Sequence, residues 1–339
     1  MVTRSDLYME EQFQRGAVPM VWSEDVTRDD TDLSAPGRAD LHTHTHYSGF
    51  NKVSFIPFPE SVTSPRKMVD TAVKKNLDIL CITDHNEIAG AWKAQRYVQE
   101  KSLDIDVVAG EEIKTADGEV LGLFLQERIP QGLSAAETVD IIHGQGGLAV
   151  APHPFSYRCF SLGKKIGELC LDGVEVLNAA HRDPYVNGLA LITAGSCVAL
   201  TGGSDAHSPV MLGDACTEFP GESAEDLYRA IRRRETYPGG GPAPMRHWIF
   251  WTIEVAHGVF MKLIARPPHE EEEDIRGDPL ERVNQMRRHN KLIAIGGCMA
   301  FMVTPLPLVC GIIGEGWLRW QGRKKWEEVF SEWIIPSKL

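Results

Sequence analysis

The sequence predicts an α/β fold, either a parallel barrel or a doubly wound sheet, on three observations. From about residue 38 to 235, short apolar runs of strand length alternate with amphipathic stretches of helical period. Nearly every run is followed by His, Asp, Glu or Asn, and in parallel α/β folds the carboxyl ends of the strands are where sites assemble. The chain has 339 residues, 43% of them hydrophobic, enough for a substantial core.

Residues 1–37 are acidic and turn-rich and read as an N-terminal extension. Strands are expected at 38–43, 77–83 (LDILCIT), 105–113 (IDVVAGEEI), 120–126 (VLGLFLQ), 148–152 (LAVAP), 173–177 (GVEVL) and 198–203 (VALTGG). Helical patterns fill the gaps at 65–75, 88–101, 135–145, 185–196 and 223–234. The link KTADGE between the third and fourth strands is too short for a crossover helix, so that pair is expected to be an antiparallel hairpin or a distorted unit rather than a regular βαβ step. The Gly/Pro cluster TYPGGGPAP then opens a linker, 236–246, between the barrel and a C-terminal helical region, 247–339.

Composition excludes several partners. With 35 basic against 47 acidic residues the net charge is −12, which argues against a long nucleic-acid duplex. Seven scattered cysteines without a C-x-x-C pair indicate neither a disulfide framework nor a thiolate zinc site. The charged N-terminus lacks the apolar core of an export signal, so the barrel is expected in the cytoplasm.

The chemistry concentrates after the strands. In DLHTHTHYSGF, His42 and His44 are two apart on an extended segment and so point to the same side. Asp84 and His85 follow the second run, Glu112 ends the third, His153 follows the fifth, Glu175 and Asn178 the sixth, and Asp205 and His207 the seventh. Imidazoles mixed with carboxylates suit zinc, manganese or iron better than magnesium or calcium. Two such ions about 4 Å apart would bind a phosphate, generate hydroxide near neutral pH and stabilise the leaving oxygen.

His46 lies beyond the strand end and is assigned to the rim, and His143 to helix packing. Asp84 would orient a ligand imidazole or take a proton from the attacking water. Arg158, in HPFSYR, is the cation nearest the metal face and suits phosphate oxygens; Asn178 and His181 complete the expected substrate contacts.

The series DLHTHT, ITDHN, GEEIKT, APHPF, DGVEVLN and GGSDAH resembles the PHP (polymerase and histidinol phosphatase) family of metal-dependent phosphoesterases over residues 38–235. The resemblance implies an irregular seven-stranded (βα) barrel with two or three divalent ions. It carries metal-ligand roles onto His42, His44, His85, Glu112, His153, Asp205 and His207, with Glu112 rather than Glu111 as the bridging carboxylate; His207, with Asp84, is also a catalytic candidate. Two positions depart from the family pattern. Ser48 is followed by Gly49, Phe50 and Asn51 where many relatives have an Asp or His, and Glu119 stands where relatives often have a His, so that either Glu119 substitutes as an oxygen ligand or the site holds fewer ions.

The expected activity is hydrolysis of a small phosphomonoester, a nucleotide or a short oligonucleotide end. A metal-dependent amidohydrolase also begins with His-x-His, but it would want a bridging Lys after the fourth strand, where this chain has VLGLFLQ. A membrane-tethered metal-binding scaffold without turnover is the remaining alternative.

LIAIGGCMAFMVTPLPLVCGII, 292–313, carries no charge and as a straight helix would span about 33 Å, enough for a bilayer's hydrocarbon layer. The segment is a transmembrane candidate: Trp317, Trp320 and basic residues on both flanks resemble interfacial anchors, while Pro305 and Pro307 would kink it, allowing a re-entrant or interfacial hairpin. Residues 248–264 are expected to lie in the interface, contacting membrane lipid with 292–313. The alternative is a helical pair buried against the barrel.

Overall fold

The computed structural model describes residues 36–53, 56–195, 197–264, 279–280, 283 and 286–333. The expected extension therefore lies almost wholly outside the described residues.

All seven expected strands form: β1 (Gly37–Asp40), β4 (Ile79–Ile82), β5 (Asp106–Lys114), β6 (Glu119–Leu123), β7 (Leu148–Ala151), β8 (Gly173–Asn178) and β9 (Ala199–Gly203). Their interiors are apolar on both faces, as a sheet covered on each side requires. Pairing is parallel between β1 and β4, β4 and β5, β7 and β8, and β8 and β9. The β5–β6 pair is antiparallel, one of the two outcomes the short KTADGE link allows, and so is β6–β7.

The sheet has nine strands rather than seven, in the order β11-β10-β1-β4-β5-β6-β7-β8-β9. The additions are β10 (Ala215–Phe219), antiparallel to β1, and β11 (Tyr237–Gly240), antiparallel to β10. The stretch expected as a linker is thus partly an edge strand, a place where its Pro and Gly are tolerated. A separate hairpin, β2 (Phe50–Val53) with β3 (Ile56–Pro59), rises beside the first metal motif.

The ring nearly closes. Past the end of β1, Thr43 pairs in parallel with Ala206, past the end of β9, and the His44 amide donates to the Ala206 carbonyl at 2.9 Å. Lower down, a side chain replaces the ladder: the Gly202 amide donates to Thr217 Oγ1 (3.0 Å), whose hydroxyl donates back to the Gly202 carbonyl (2.8 Å). A Cβ on Gly202 would stand 2.4 Å from the Cys216 carbonyl oxygen, so only glycine lets these backbones approach.

Helices α1 (Pro65–Lys74), α2 (Ala89–Lys101), α3 (Ala135–Gly144), α4 (Pro184–Thr193) and α5 (Ala224–Arg233) cover the sheet. Their starts are written locally. Ser64 caps α1 before Pro65, Asp183 caps α4 before Pro184, and Ser134/Glu137 and Ser223/Asp226 form capping boxes.

Three helices follow: α6 (Met245–Ile264), α7 (Arg288–Val303) and α8 (Leu306–Trp333). Helix α6, expected in a membrane interface, packs one face on the barrel: Trp251 Nε1 donates to the Glu60 carbonyl (2.9 Å), and the Ser208 hydroxyl donates to Glu254. The second half of α8 joins the core through Trp326 and Val329. No single described helix is long and apolar enough to cross a membrane; segment 292–313 is broken, α7 and α8 meeting at a bend of 82°.

Candidate metal centre

Strand geometry assembles the centre at one end of the barrel. His42 and His44 share the inward side of the β1 extension, and both are fully buried. The same alternation separates Glu112 from Glu111: Glu112 faces the histidines, whereas Glu111 accepts the Ile129 amide at 2.9 Å. A parallel bridge between His85 and Glu112 holds the second and third motifs side by side.

Glu112 is the hub. Its Oε2 lies 2.9 Å from His85 Nδ1 and 3.4 Å from both His42 Nε2 and His44 Nε2, while Oε1 lies 3.1 Å from His153 Nε2. Asp205 Oδ1 stands 3.4 Å from His44 Nε2 and 3.7 Å from His42 Nε2. The rings of His44 and His207 stack at 4.2 Å.

The imidazoles are keyed from behind. His42 donates through Nδ1 to Glu175 Oε1 (3.1 Å) and His207 through Nδ1 to the Asp205 carbonyl (3.0 Å). His44 Nδ1 donates to Ser48 Oγ (2.9 Å), whose hydroxyl donates to Asp84 Oδ1 (2.7 Å). In each ring it is then Nε2 that a bound ion would take as its donor.

Asp84 also accepts from the Thr45 amide (2.6 Å) and hydroxyl (2.7 Å), and burial pushes its carboxyl up to about 6. Its oxygens are committed to the loop that carries His44, so of the two roles expected for it the geometry supports orientation. A Cβ at Gly90 would fall 2.1 Å from Asp84 Oδ2, which explains glycine there.

The electrostatics are those of a cation trap. Burial opposes a proton on His42, yet Asp205, Glu175 and Glu112 raise its pKa well above the imidazole range. Burial likewise opposes charge on Glu112 and Asp205, but the surrounding histidines hold both well below the carboxylate range. His44 is pushed down to about 3 by burial and by His207 and His85.

Five buried atoms, His42 Nε2, His44 Nε2, Glu112 Oε2, Glu119 Oε2 and His153 Nδ1, have no hydrogen-bond partner. Leaving each unsatisfied would cost about 1–3 kcal/mol. The donor set fits divalent ions, with groupings at His42/Glu112/His153, His44/His85/His207, His42/His44/Asp205, His85/Glu112/Glu119 and Glu119/His153/Cys159. His153 and Asp205 hold left-handed backbone, at φ 27° and 51°, a strain that recurs at functional sites.

Two members of this constellation escape a sequence reading. Glu60 follows β3, and the hairpin returns it to the base of the first motif, where its amide donates to the Gly49 carbonyl (3.2 Å). Its Oε2 lies 2.9 Å from His85 Nε2 while Asn51 donates to Oε1. Burial opposes its charge, but His85 holds it down at about 2. It stands beside the Ser48–Asn51 stretch in which no Asp or His follows the Ser. The second is Cys159, on the loop after His153, its thiol pushed up by burial.

Of the expected substrate contacts, Arg158 lies with its guanidinium 4.5 Å over the Trp248 ring and donates to the Ala180 carbonyl (3.3 Å). His181 is buried against the His153 ring at 6.0 Å, and burial, together with Arg158 and His153, holds it well below its usual range. Asn178 turns its amide inward, donating to Glu175 Oε2 (2.9 Å) and Asp205 Oδ2 (3.3 Å) and accepting from the Ala180 amide. It therefore braces ligands. His46 turns to the Thr63 carbonyl (3.2 Å), away from the centre, and His143 pairs with Asp172 (2.8 Å).

Residues 40–209 match the model of the PHP domain, and residues 198–236 that of a PHP-associated region. The uncharacterized protein MJ1587 of Methanocaldococcus jannaschii is 51% identical over 154 residues, covering 45% of this chain and 89% of that one. The uncharacterized protein MJ0417 of the same organism is 31% identical over 191 residues, 54% of this chain and 70% of the other. Among solved structures, a two-domain Bacteroides vulgatus protein containing a predicted PHP-like metal-dependent phosphoesterase is 18% identical, with TM-score 0.48 over 63% of this chain and 70% of that one. PsfC of Pseudomonas syringae is 20% identical, with TM-score 0.48 over 66% and 99%.

Proposed function

The chain belongs to the PHP domain family, and on that premise we propose that it is a metal-dependent phosphoesterase using two or three manganese, zinc or iron ions. The observation that carries the reading is Glu112, one carboxylate reaching four imidazoles from three separate motifs, the position of a bridging ligand. Bound ions would supply positive charge for a phosphoryl group and lower the pKa of the attacking water.

The chain's own residues do the rest. Of the proposed ligands, His85 and His207 keep side-chain exposures of 23% and 15%, against 0–1% for His42, His44 and His153, and so mark the side on which substrate enters. Arg158, its guanidinium carbon held 4.5 Å over the Trp248 ring, offers guanidinium donors to phosphate oxygens beyond the centre. Trp251 packs 5.7 Å from His207 and narrows the mouth, which favours a small ester, a nucleotide or a free oligonucleotide end over a polymer passing through. Glu175, Ser48 and Asp84 hold His42 and His44 in the tautomer that ligation requires.

The test is elemental analysis of the purified protein together with hydrolysis of a chromogenic phosphate ester, before and after chelation and return of Mn²⁺ or Zn²⁺. Two or more ions per chain with chelator-sensitive turnover is the expected result. Bound metal with no turnover on any phosphate ester would refute it.

A further inference from the structure

We propose that the bend between α7 and α8 is a wedge that seats in an anionic lipid bilayer. Around it Leu292, Ile293, Val303, Val309, Ile312 and Ile313 are 65%, 72%, 70%, 46%, 59% and 68% exposed, and α7 has no buried residue at all. Apolar side chains so exposed on both arms of one bend mark an interaction surface.

Two observations select lipid as the occupant. The first is charge: in a chain whose net charge is −12, one arm carries Arg287, Arg288 and Lys291 with no acid between them and Glu315, and the other carries Arg319, Arg323, Lys324 and Lys325, of which Arg323 and Lys325 pair with Glu327 and Glu328. Glu315 is itself engaged by Arg182 and Arg319. Cations on either side of an apolar tip complement anionic headgroups and would repel the same face of a second copy.

The second is the backbone at the break. The Thr304 amide donates to the Ala300 carbonyl (3.2 Å), Leu306 donates to Thr304 Oγ1 (3.2 Å), Val309 donates to the Pro305 carbonyl (3.0 Å), and Pro305 and Pro307 have no N–H. The turn thus satisfies the amides of Thr304, Leu306 and Val309 internally, which lowers the cost that hydrocarbon imposes on irregular backbone.

Docking brings the metal centre to the lipid surface. Trp317, 51% exposed one turn beyond the apolar tip, packs 6.4 Å from Tyr157, which packs 6.1 Å from His181, itself 6.0 Å from the ligand His153.

The experiment is flotation of the full-length protein with vesicles of phosphatidylcholine alone or mixed with phosphatidylserine. Binding is expected to the mixed vesicles, weakened by salt. Val303→Asp/Ile312→Asp should abolish it and Arg287→Gln/Arg288→Gln should weaken it about tenfold or more. All four positions are exposed, and retained metal content and ester turnover would show that the variants are folded. Absence of binding to anionic vesicles, or binding indifferent to both variants, overturns the proposal. So does a dimer in light scattering that Ile312→Asp dissociates without any vesicle binding by the parent protein, which would assign the surface to a second copy.

Discussion

Glu175→Gln is the most informative substitution, because the structure dictates how the new amide must sit. Glu175 Oε2 accepts from the His153 amide (2.8 Å) and from Asn178 Nδ2 (2.9 Å), so the glutamine oxygen must take that place. Its NH2 is then forced toward His42 Nδ1, where Oε1 had accepted at 3.1 Å. A donor facing Nδ1 makes that nitrogen the acceptor and moves the ring proton to Nε2, the atom aimed at Glu112 and Asp205. The side chain keeps its volume and two of its three hydrogen bonds, so folding should survive while ligation by His42 is lost. Partners that orient a ligand are worth about 10–100-fold in metal affinity or activity, roughly 1.4–2.7 kcal/mol, and a reversed tautomer belongs at the upper end. The assay is competition with a chromophoric chelator, giving Kd for each ion, alongside hydrolysis of the chromogenic ester. Affinity and turnover both within twofold of the parent protein would refute the orientation argument, whatever the fate of Glu175→Ala.

Glu60→Gln should remove one ion from the stoichiometry and cut ester turnover about tenfold or more, since it withdraws a carboxylate from His85; elemental analysis checks this. Arg158→Ala should lower kcat/KM for the phosphate ester by about 10–100-fold, and Arg158→Lys should not restore it, because a planar guanidinium is held against Trp248. Burial, reinforced by Glu112, pushes Glu119 up to about 7 from an ordinary 4.5, so in chelated protein its stabilising contribution is full below pH 4.5 and lost as pH rises through 7. Thermal unfolding should show that loss, and Glu119→Gln should be flat by comparison across the same window. Gly202→Ala should destabilise the barrel by about 1–3 kcal/mol in urea titrations, because its Cβ meets the Cys216 carbonyl at 2.4 Å.

What the sequence made legible follows from periodicities of two. His42 and His44 could be assigned to one face because a strand alternates regardless of tertiary context, whereas the choice of Glu112 over Glu111 came from the family resemblance and the strand's alternation then accounts for it. Loop length excluded a regular βαβ step between β5 and β6 and left an antiparallel turn as one of two outcomes. Glu60 was not legible, because its role depends on a hairpin of two short strands, FNKV and the Pro-containing IPFP, which carry none of the usual alternation. Strand β11 was hidden for the same reason: YPGG reads as a break and becomes a strand only because β10 presents an edge. Cys159 depended on the path of an irregular loop. The C-terminal helices were recognisable as helices, but hydropathy does not reveal which of their faces a barrel will cover.

Chain order gives the tryptophans at the mouth a temporal meaning. The last proposed ligand of the centre is His207, whereas Trp248 and Trp251, which flank Arg158 and His207, are synthesised some forty residues later. At translation rates of about 5–20 residues per second, that is an interval of a few seconds. A nascent chain would therefore present its histidines and carboxylates before α6 arrives, and the tryptophan side of the mouth is the last part of it to be set.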